Sequence, residues 1–186
     1  MNRFEISEQG KIIELSFYRE KQADILFKEL LGKLLCHRTA DGVIRRRIIE
    51  TECYLGETDT ACHAHKGRTA RTDVMYKSGG VAYVYLCYGI HSLLNIVTGD
   101  EGSPQAVLIR GVEGASGPGR VAKAMQISLS DNRLPFTPES GIWLEDDGFR
   151  IAEKDIALTP RVGIDYAESR DRERLWRAVL HKCSRN

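Results

Sequence analysis

The chain has 186 residues, 42% hydrophobic, 28% charged and 8% aromatic. These proportions fit one globular domain over residues 1–186 and exclude a disordered chain, a collagen-like repeat and a coiled coil. With 27 Lys and Arg against 26 Asp and Glu the formal charge is +1, so overall charge neither demands nor excludes a polyanionic partner and only a local basic patch would make that case. No apolar run approaches the roughly 20 residues that span a bilayer, and the opening MNRFEISEQGKIIEL carries no apolar signal core, so a cytoplasmic protein is expected. Five cysteines, Cys36, Cys53, Cys62, Cys87 and Cys183, are odd in number and contain no Cys-x-x-Cys pair, which reads as reduced thiols rather than a disulfide framework or a zinc ribbon.

Ala23 to Leu31 places Ala23, Leu26, Phe27, Leu30 and Leu31 on one helical face, with Gly32 following where a left-handed cap is wanted. Leu34 to Thr39 and Val43 to Leu55 read as strands around Asp41-Gly42, a dipeptide suited to the positive φ angles of a tight turn. A second hairpin follows, with Val81 to Cys87 and Leu93 to Val97 flanking Tyr88-Gly89-Ile90-His91, and Ala106 to Val112 adds another apolar strand. Gly117-Pro118-Gly119 opens a helix expected from Arg120 to about Ile127, after which GIWLE and PRVGI look strand-like. Strands in succession without a strand-helix-strand rhythm predict an α+β fold built on a curved, mainly antiparallel sheet with flanking helices.

On IIETECYLG the two-residue period puts Ile48, Glu50, Glu52 and Tyr54 on one face and Ile49, Thr51, Cys53 and Leu55 on the other. Same-face neighbours stand about 6.5–7 Å apart, a separation that suits two carboxylates bracketing a water in single-displacement glycoside hydrolysis. From spacing alone, two solvated glutamates on the polar side of a half-exposed strand are the simpler reading. Cys62-His63-Ala64-His65 with Cys53 upstream lacks the paired spacing of a zinc site, and His63 is either a hydrogen-bonded structural residue or part of the cleft beside Glu52. Tyr83 and Tyr85 share a strand face, whereas Tyr88 stands at a hairpin apex, where a ring either packs on a neighbouring loop or wedges between base pairs. Asn95 is an amide in the apolar run SLLNIV and must find partners or act as a selector. Basic residues concentrate in Arg45-Arg46-Arg47 and in Lys66, Arg68, Arg71 and Lys77, while Gly117-Pro118-Gly119-Arg120 offers a weak helix-terminus cradle for phosphate.

Taken in order, ETECYLGETDTACHAHKGRT, MYKSGGVAYVYLCYGIH with the later Asn95, AVLIRGVEG, GPGR and TPRVGI resemble the alkyladenine (3-methyladenine) DNA glycosylase family, of the human type and its bacterial relatives. The resemblance runs from about Ala23 to about Tyr166. Beyond Glu168 the tail RDRERLWRAVLHKCSRN replaces the family's closing aromatic and glycine pattern, and Cys53 and Cys62 stand where alanine is familiar. The resemblance implies a monofunctional enzyme, working without metal or cofactor as a monomer, that flips damaged purines out of double-stranded DNA and hydrolyses the N-glycosidic bond. It implies Glu52 as general base, and Arg110 with the Val162 backbone as the holders of the attacking water. Tyr54, His63 and Tyr85 would be the walls of the base pocket, Tyr88 the intercalating wedge, and Asn95 the group that crowds the exocyclic amine of guanine. Arg68, Arg71, Lys77 and Arg120 are the candidate phosphate contacts. The competing readings are a nucleoside or glycoside hydrolase using the Glu50/Glu52 pair and a non-catalytic binder of distorted DNA. A neutral damaged base would need a proton donor that these residues do not name.

Overall fold

Around one long strand, Gly42–Leu55, the computed structural model assembles residues 10–181 into a ten-stranded sheet with four short helices. In chain order the elements are β1 (Lys11–Ile12), α1 (Leu15–Arg19), α2 (Ala23–Glu29), β2 (Leu34–Thr39), β3 (Gly42–Leu55), β4 (Ala82–Cys87), β5 (His91–Val97), β6 (Gln105–Val112), β7 (Ala115–Ser116), α3 (Pro118–Met125), β8 (Ile142–Asp146), β9 (Ile156–Thr159), α4 (Ser169–Arg172) and β10 (Arg177–Leu180). The main path runs β1-β8-β2-β3-β6-β5-β4, with β7 beside β6 and β10 joining β3 to β9. Every paired ladder is antiparallel, which is the α+β architecture the sequence predicts. Among the described residues no helix is long and apolar enough to cross a membrane. Cys36, Cys53, Cys62 and Cys87 are free thiols, and Cys183 lies outside the described residues.

The sheet has two different faces where β4, β5, β6 and the second half of β3 meet. Val84, Leu94, Ile96, Val107, Ile109 and Cys53 point to one side and form the core with Leu26 and Phe27 of α2 and Val121, Ala122 and Met125 of α3. The alternate residues Tyr83, Tyr85, Leu93, Asn95, Ala106, Leu108, Arg110 and Tyr54 point the other way and line a cavity. Period-two alternation thus separates the apolar core from the chemistry.

Ile48 departs from that alternation. The expectation that it shares a face with Glu50 is wrong: Ile48 is fully buried in the core. Its register partner is Val112, while Glu50 pairs with Gly111 and Thr51 with Ile109, so Ile49 is extra in β3 and Arg110 is extra in β6. This double irregularity turns Ile48 and Val112 into the core and leaves Glu50, Glu52 and Arg110 together on the opposite face. Gly111 makes the crossing possible, because a Cβ there would come within 2.8 Å of the Glu50 Cβ.

Three local expectations also shift. In the first hairpin Thr39 pairs with Gly42, so the loop is Ala40-Asp41 rather than Asp41-Gly42, and only Gly42 (φ +119°) takes a positive angle. The Thr39 hydroxyl accepts from the Asp41 amide at 3.3 Å and closes the turn. Helix α3 starts at Pro118, two residues before the expected Arg120, because Pro118 occupies the first helical position, where its missing N–H costs nothing; left-handed Gln126 ends it. PRVGI is not a strand: β9 ends at Thr159, Pro160 has no N–H to continue the ladder, and 160–164 runs irregularly to the cavity.

Candidate active site

The cavity on the polar face of the sheet has a volume of about 480 Å³, within the roughly 300–1,000 Å³ of small-molecule sites. Its floor comes from β3, β4, β5 and β6, and its cover from two loops that bring in Ala61, Cys62, His63, Arg71 and Met75 on one side and Val162, Gly163, Ile164 and Tyr166 on the other. The Tyr166 hydroxyl donates to the Ala61 carbonyl at 2.9 Å and ties the two loops together.

Glu52 is fully buried behind this wall, in the middle of three strands, with Leu108 of β6 and Arg177 of β10 as its register partners. The three groups that touch it, Tyr54, Arg110 and Val162, all line the cavity. The Tyr54 hydroxyl donates to Glu52 Oε2 at 2.9 Å and the Val162 amide donates to Oε1 at 2.8 Å. Arg110 Nε stands 3.6 Å from Glu52 Oε1 and 3.0 Å from Glu50 Oε1, and Glu50 is gripped in turn by Arg177 Nε at 2.6 Å. Burial raises the Glu52 carboxyl above its ordinary range, against the opposing pull of Arg110, the Val162 amide and the Tyr54 hydroxyl; the Glu50 charge adds to the rise. Each Glu52 oxygen accepts one hydrogen bond and keeps a further acceptor lone pair.

Aromatic residues make one wall. The His63 and Tyr85 rings meet edge to face with centroids 4.6 Å apart, and Tyr83 lies 5.3 Å from Tyr85. His63 Nδ1 is 2.9 Å from the Tyr83 hydroxyl. Burial, aided by the Arg71 charge, lowers the His63 pKa to about 4, so its ring is neutral at physiological pH. Asn95 is buried with its amide donating to the Tyr83 carbonyl at 3.1 Å. Tyr54, His63, Tyr85 and Asn95, drawn from three strands and a loop, therefore surround a single space.

Tyr88 is 92% exposed at the apex of the β4–β5 hairpin. It holds φ 51° and Gly89 holds φ 73°, with the Ile90 amide donating to the Cys87 carbonyl at 3.2 Å across the turn. A bulky residue in the left-handed region is an uncommon, costly conformation. Here it projects a bare phenol ring from the tip.

The basic candidates separate. Arg71 lies against the cavity wall, its guanidinium 5.0 Å from the Tyr85 ring centroid. Arg68 pairs with Asp73 at 2.7 Å, whereas Lys77 and Arg120 are exposed. The Arg45-Arg46-Arg47 run is no free patch: Arg45 pairs with buried Glu145 at 3.1 Å and Arg47 with Asp147 at 2.7 Å. Cys53 and His65 do not converge, Cys53 being in the core and His65 exposed against the Glu57 carbonyl.

Sequence reasoning missed Arg161, the residue that sets Val162 in place. Its guanidinium is buried and bidentate on Asp59, at 2.6 and 2.8 Å, and also donates to the Cys53 carbonyl at 2.8 Å. It sits between the rings of Tyr54 (4.8 Å) and Trp176 (5.1 Å). An arginine within an otherwise apolar PRVGI was the available signal, since a charge there needs a partner.

Comparison with known proteins decides the family. The family model for methylpurine-DNA glycosylase (MPG) matches residues 16–116 and 113–184. The chain belongs to that family. Similar proteins carry the name "Putative 3-methyladenine DNA glycosylase": one from Psychrobacter cryohalolentis is 43% identical, covering 77% of this chain and 80% of its own, and one from Myxococcus xanthus is 43% identical over 87% of each. Another from Methanocella arvoryzae is 39% identical over 89% of this chain and 90% of its own. The family match runs to residue 184, so it takes in the tail strand β10 despite the departure noted from Glu168 onward.

Proposed function

We propose that this DNA glycosylase excises alkylated purines such as 3-methyladenine from double-stranded DNA, as a cytoplasmic monomer acting on the N-glycosidic bond without cutting the strand. The observation that carries this is the fully buried Glu52 carboxylate, fixed by Tyr54, Arg110 and Val162 immediately behind an aromatic-walled cavity.

The chemistry follows from the substrate. A stacked base exposes no path to its sugar carbon, so the nucleotide must swing out, at a cost of a few kcal/mol. Tyr88 fills the gap. Alkylation leaves the purine cationic, and the faces of Tyr54, Tyr83 and Tyr85 attract a cation by roughly 0.5–2 kcal/mol more than a neutral base. Neutral His63 adds no opposing charge to that wall.

As the glycosidic bond breaks, its electron pair leaves with the purine, which departs neutral. The sugar passes through an oxocarbenium-like state that the Glu52 carboxylate stabilises. A water held by Glu52, Arg110 and the Val162 backbone attacks the sugar carbon and gives its proton to Glu52. No acid is needed for a leaving group that already carries positive charge. Among the described residues lining the cavity there is no lysine to form a Schiff base with the sugar, which supports simple hydrolysis. Glu50 is held by two guanidinium groups, an environment suited to a fixed counter-charge rather than to a second proton-transfer carboxylate.

Incubation with a duplex oligonucleotide carrying 3-methyladenine tests this, with free base and strand length followed by chromatography. Release of the base from an uncut strand is the expected result. A protein that retains the duplex and frees nothing is a binder only.

A further inference from the structure

The groups around Glu52 form a chain of alternating charge that starts on the last described strand. From β3 itself come Glu50 and Tyr54, from β6 Arg110, and from β10 Arg177, the register partner of Glu52. The loop after β9 supplies the Val162 amide together with Arg161 and Tyr166, and Tyr85 of β4 lies beyond Tyr54 across the cavity. Arg177 does not reach for Glu52, its direct neighbour. It runs diagonally to Glu50 at 2.6 Å and donates to the Thr159 hydroxyl of β9 at 3.1 Å. Diagonal partners on one face of an antiparallel pair lie within reach of long side chains.

Glu50 Oε1 thus stands between two guanidinium groups, accepting a hydrogen bond from Arg177 at 2.6 Å and ion-paired with Arg110 at 3.0 Å. Arg110 remains near Glu52, at 3.6 Å, because Glu50 already has another positive partner. Without Arg177 the cation left on Glu50 among the described residues would be Arg110, drawn toward that side, and Glu52 would face a less compensated like charge. Without Glu50, Arg110 would be free to move onto Glu52.

Resting on the proposed base-release activity, we infer that Arg177 is a positioning residue: through Glu50 it holds Arg110 between the two carboxylates and thereby fixes the pH above which Glu52 works as a base. The role belongs to the C-terminal segment RLWRAVL, which the family match to residue 184 includes.

Two measurements on the whole protein test it. One is the acid limb of single-turnover release of 3-methyladenine; the other is titration of the Glu52 side-chain carboxyl carbon by NMR, which needs no turnover. Arg177→Gln moves both midpoints upward by about 0.5–1 pH unit, Arg177→Lys returns them toward the wild-type value, and Glu50→Gln moves them downward. Coincident Glu52 titration curves for the wild type and Arg177→Gln, with only thermal stability changed, would make Arg177 a purely structural residue and overturn the inference. If glutamine at 177 loosens the strand, the opposite shift in Glu50→Gln still decides: no downward movement overturns it. A wild-type protein that releases no base, yet whose Glu52 titration responds as described, refutes the proposed activity and leaves the positioning intact.

Discussion

Val162 and Glu52 are 110 residues apart in the chain, yet the Val162 amide donates to Glu52 Oε1 at 2.8 Å. The bond joins a strand that the core holds rigid to a loop that Arg161 holds rigid. Both sides of the proposed reacting centre are therefore held in place by the fold itself, the preorganisation that electrostatic catalysis requires.

Removing the Glu52 charge should stabilise the fold. The carboxyl is raised by burial, so its favourable contribution is present below the ordinary glutamate range and is lost as pH rises through the raised folded-state value. In Glu52→Gln, the amide oxygen still accepts from Val162 and the amide nitrogen donates to the Tyr54 hydroxyl. Thermal midpoints from pH 4 to pH 8 should show the variant gaining on the wild type as pH increases.

His63 carries the opposite dependence. Its pKa is lowered to about 4 by burial and then by Arg71, so the unfolded chain takes up a proton near pH 6.5 before the folded one does. Its contribution is present above pH 6.5 and declines as pH falls toward about 4. Denaturant titrations of His63→Gln should lack that part of the acid loss.

The Arg161–Asp59 pair is buried on both sides. Asp59→Asn leaves a guanidinium without its charge partner, and breaking such a pair costs about 3–5 kcal/mol. Chemical denaturation should show a loss of this size. Base release should also fall in the folded fraction, because Arg161 aligns Val162 and stacks on Tyr54.

Arg71 puts a positive charge against the ring wall that is to attract a cationic base. Arg71→Gln should raise release of cationic lesions relative to neutral ones by about 2- to 10-fold, the size of a partly screened like-charge interaction. Competition between 3-methyladenine and ethenoadenine substrates reads that ratio.

Tyr88 is exposed and contributes little packing. Tyr88→Ala should leave the thermal midpoint within a degree or two while weakening release from duplex DNA far more than from single strands, where no stacking gap needs filling.

Much of the site was legible because it lies on regular strands. Alternation placed Glu52 beside Tyr54 and Tyr83 beside Tyr85, and the turn residues located the first hairpin to within a residue and the second to within two, since its return strand starts at His91 rather than Leu93. Ile48 was misplaced because a bulge breaks the period and its cause, Gly111 opposite Glu50, sits about 60 residues away in another strand. Arg161, Asp59 and Arg177 act through long-range ion pairs, which leave no local periodicity. Arg45 and Arg47 looked like a basic patch because their acidic partners, Glu145 and Asp147, lie 100 residues later.

The most direct measurement compares free 3-methyladenine released from methylated DNA by the wild type, Glu52→Gln and Glu50→Gln at the wild-type pH optimum. A single buried base predicts a loss of about 10²- to 10⁴-fold for Glu52→Gln, with most of the rate kept by Glu50→Gln and the DNA strand unbroken. Equal and total loss in both variants, or full activity in Glu52→Gln, would contradict it.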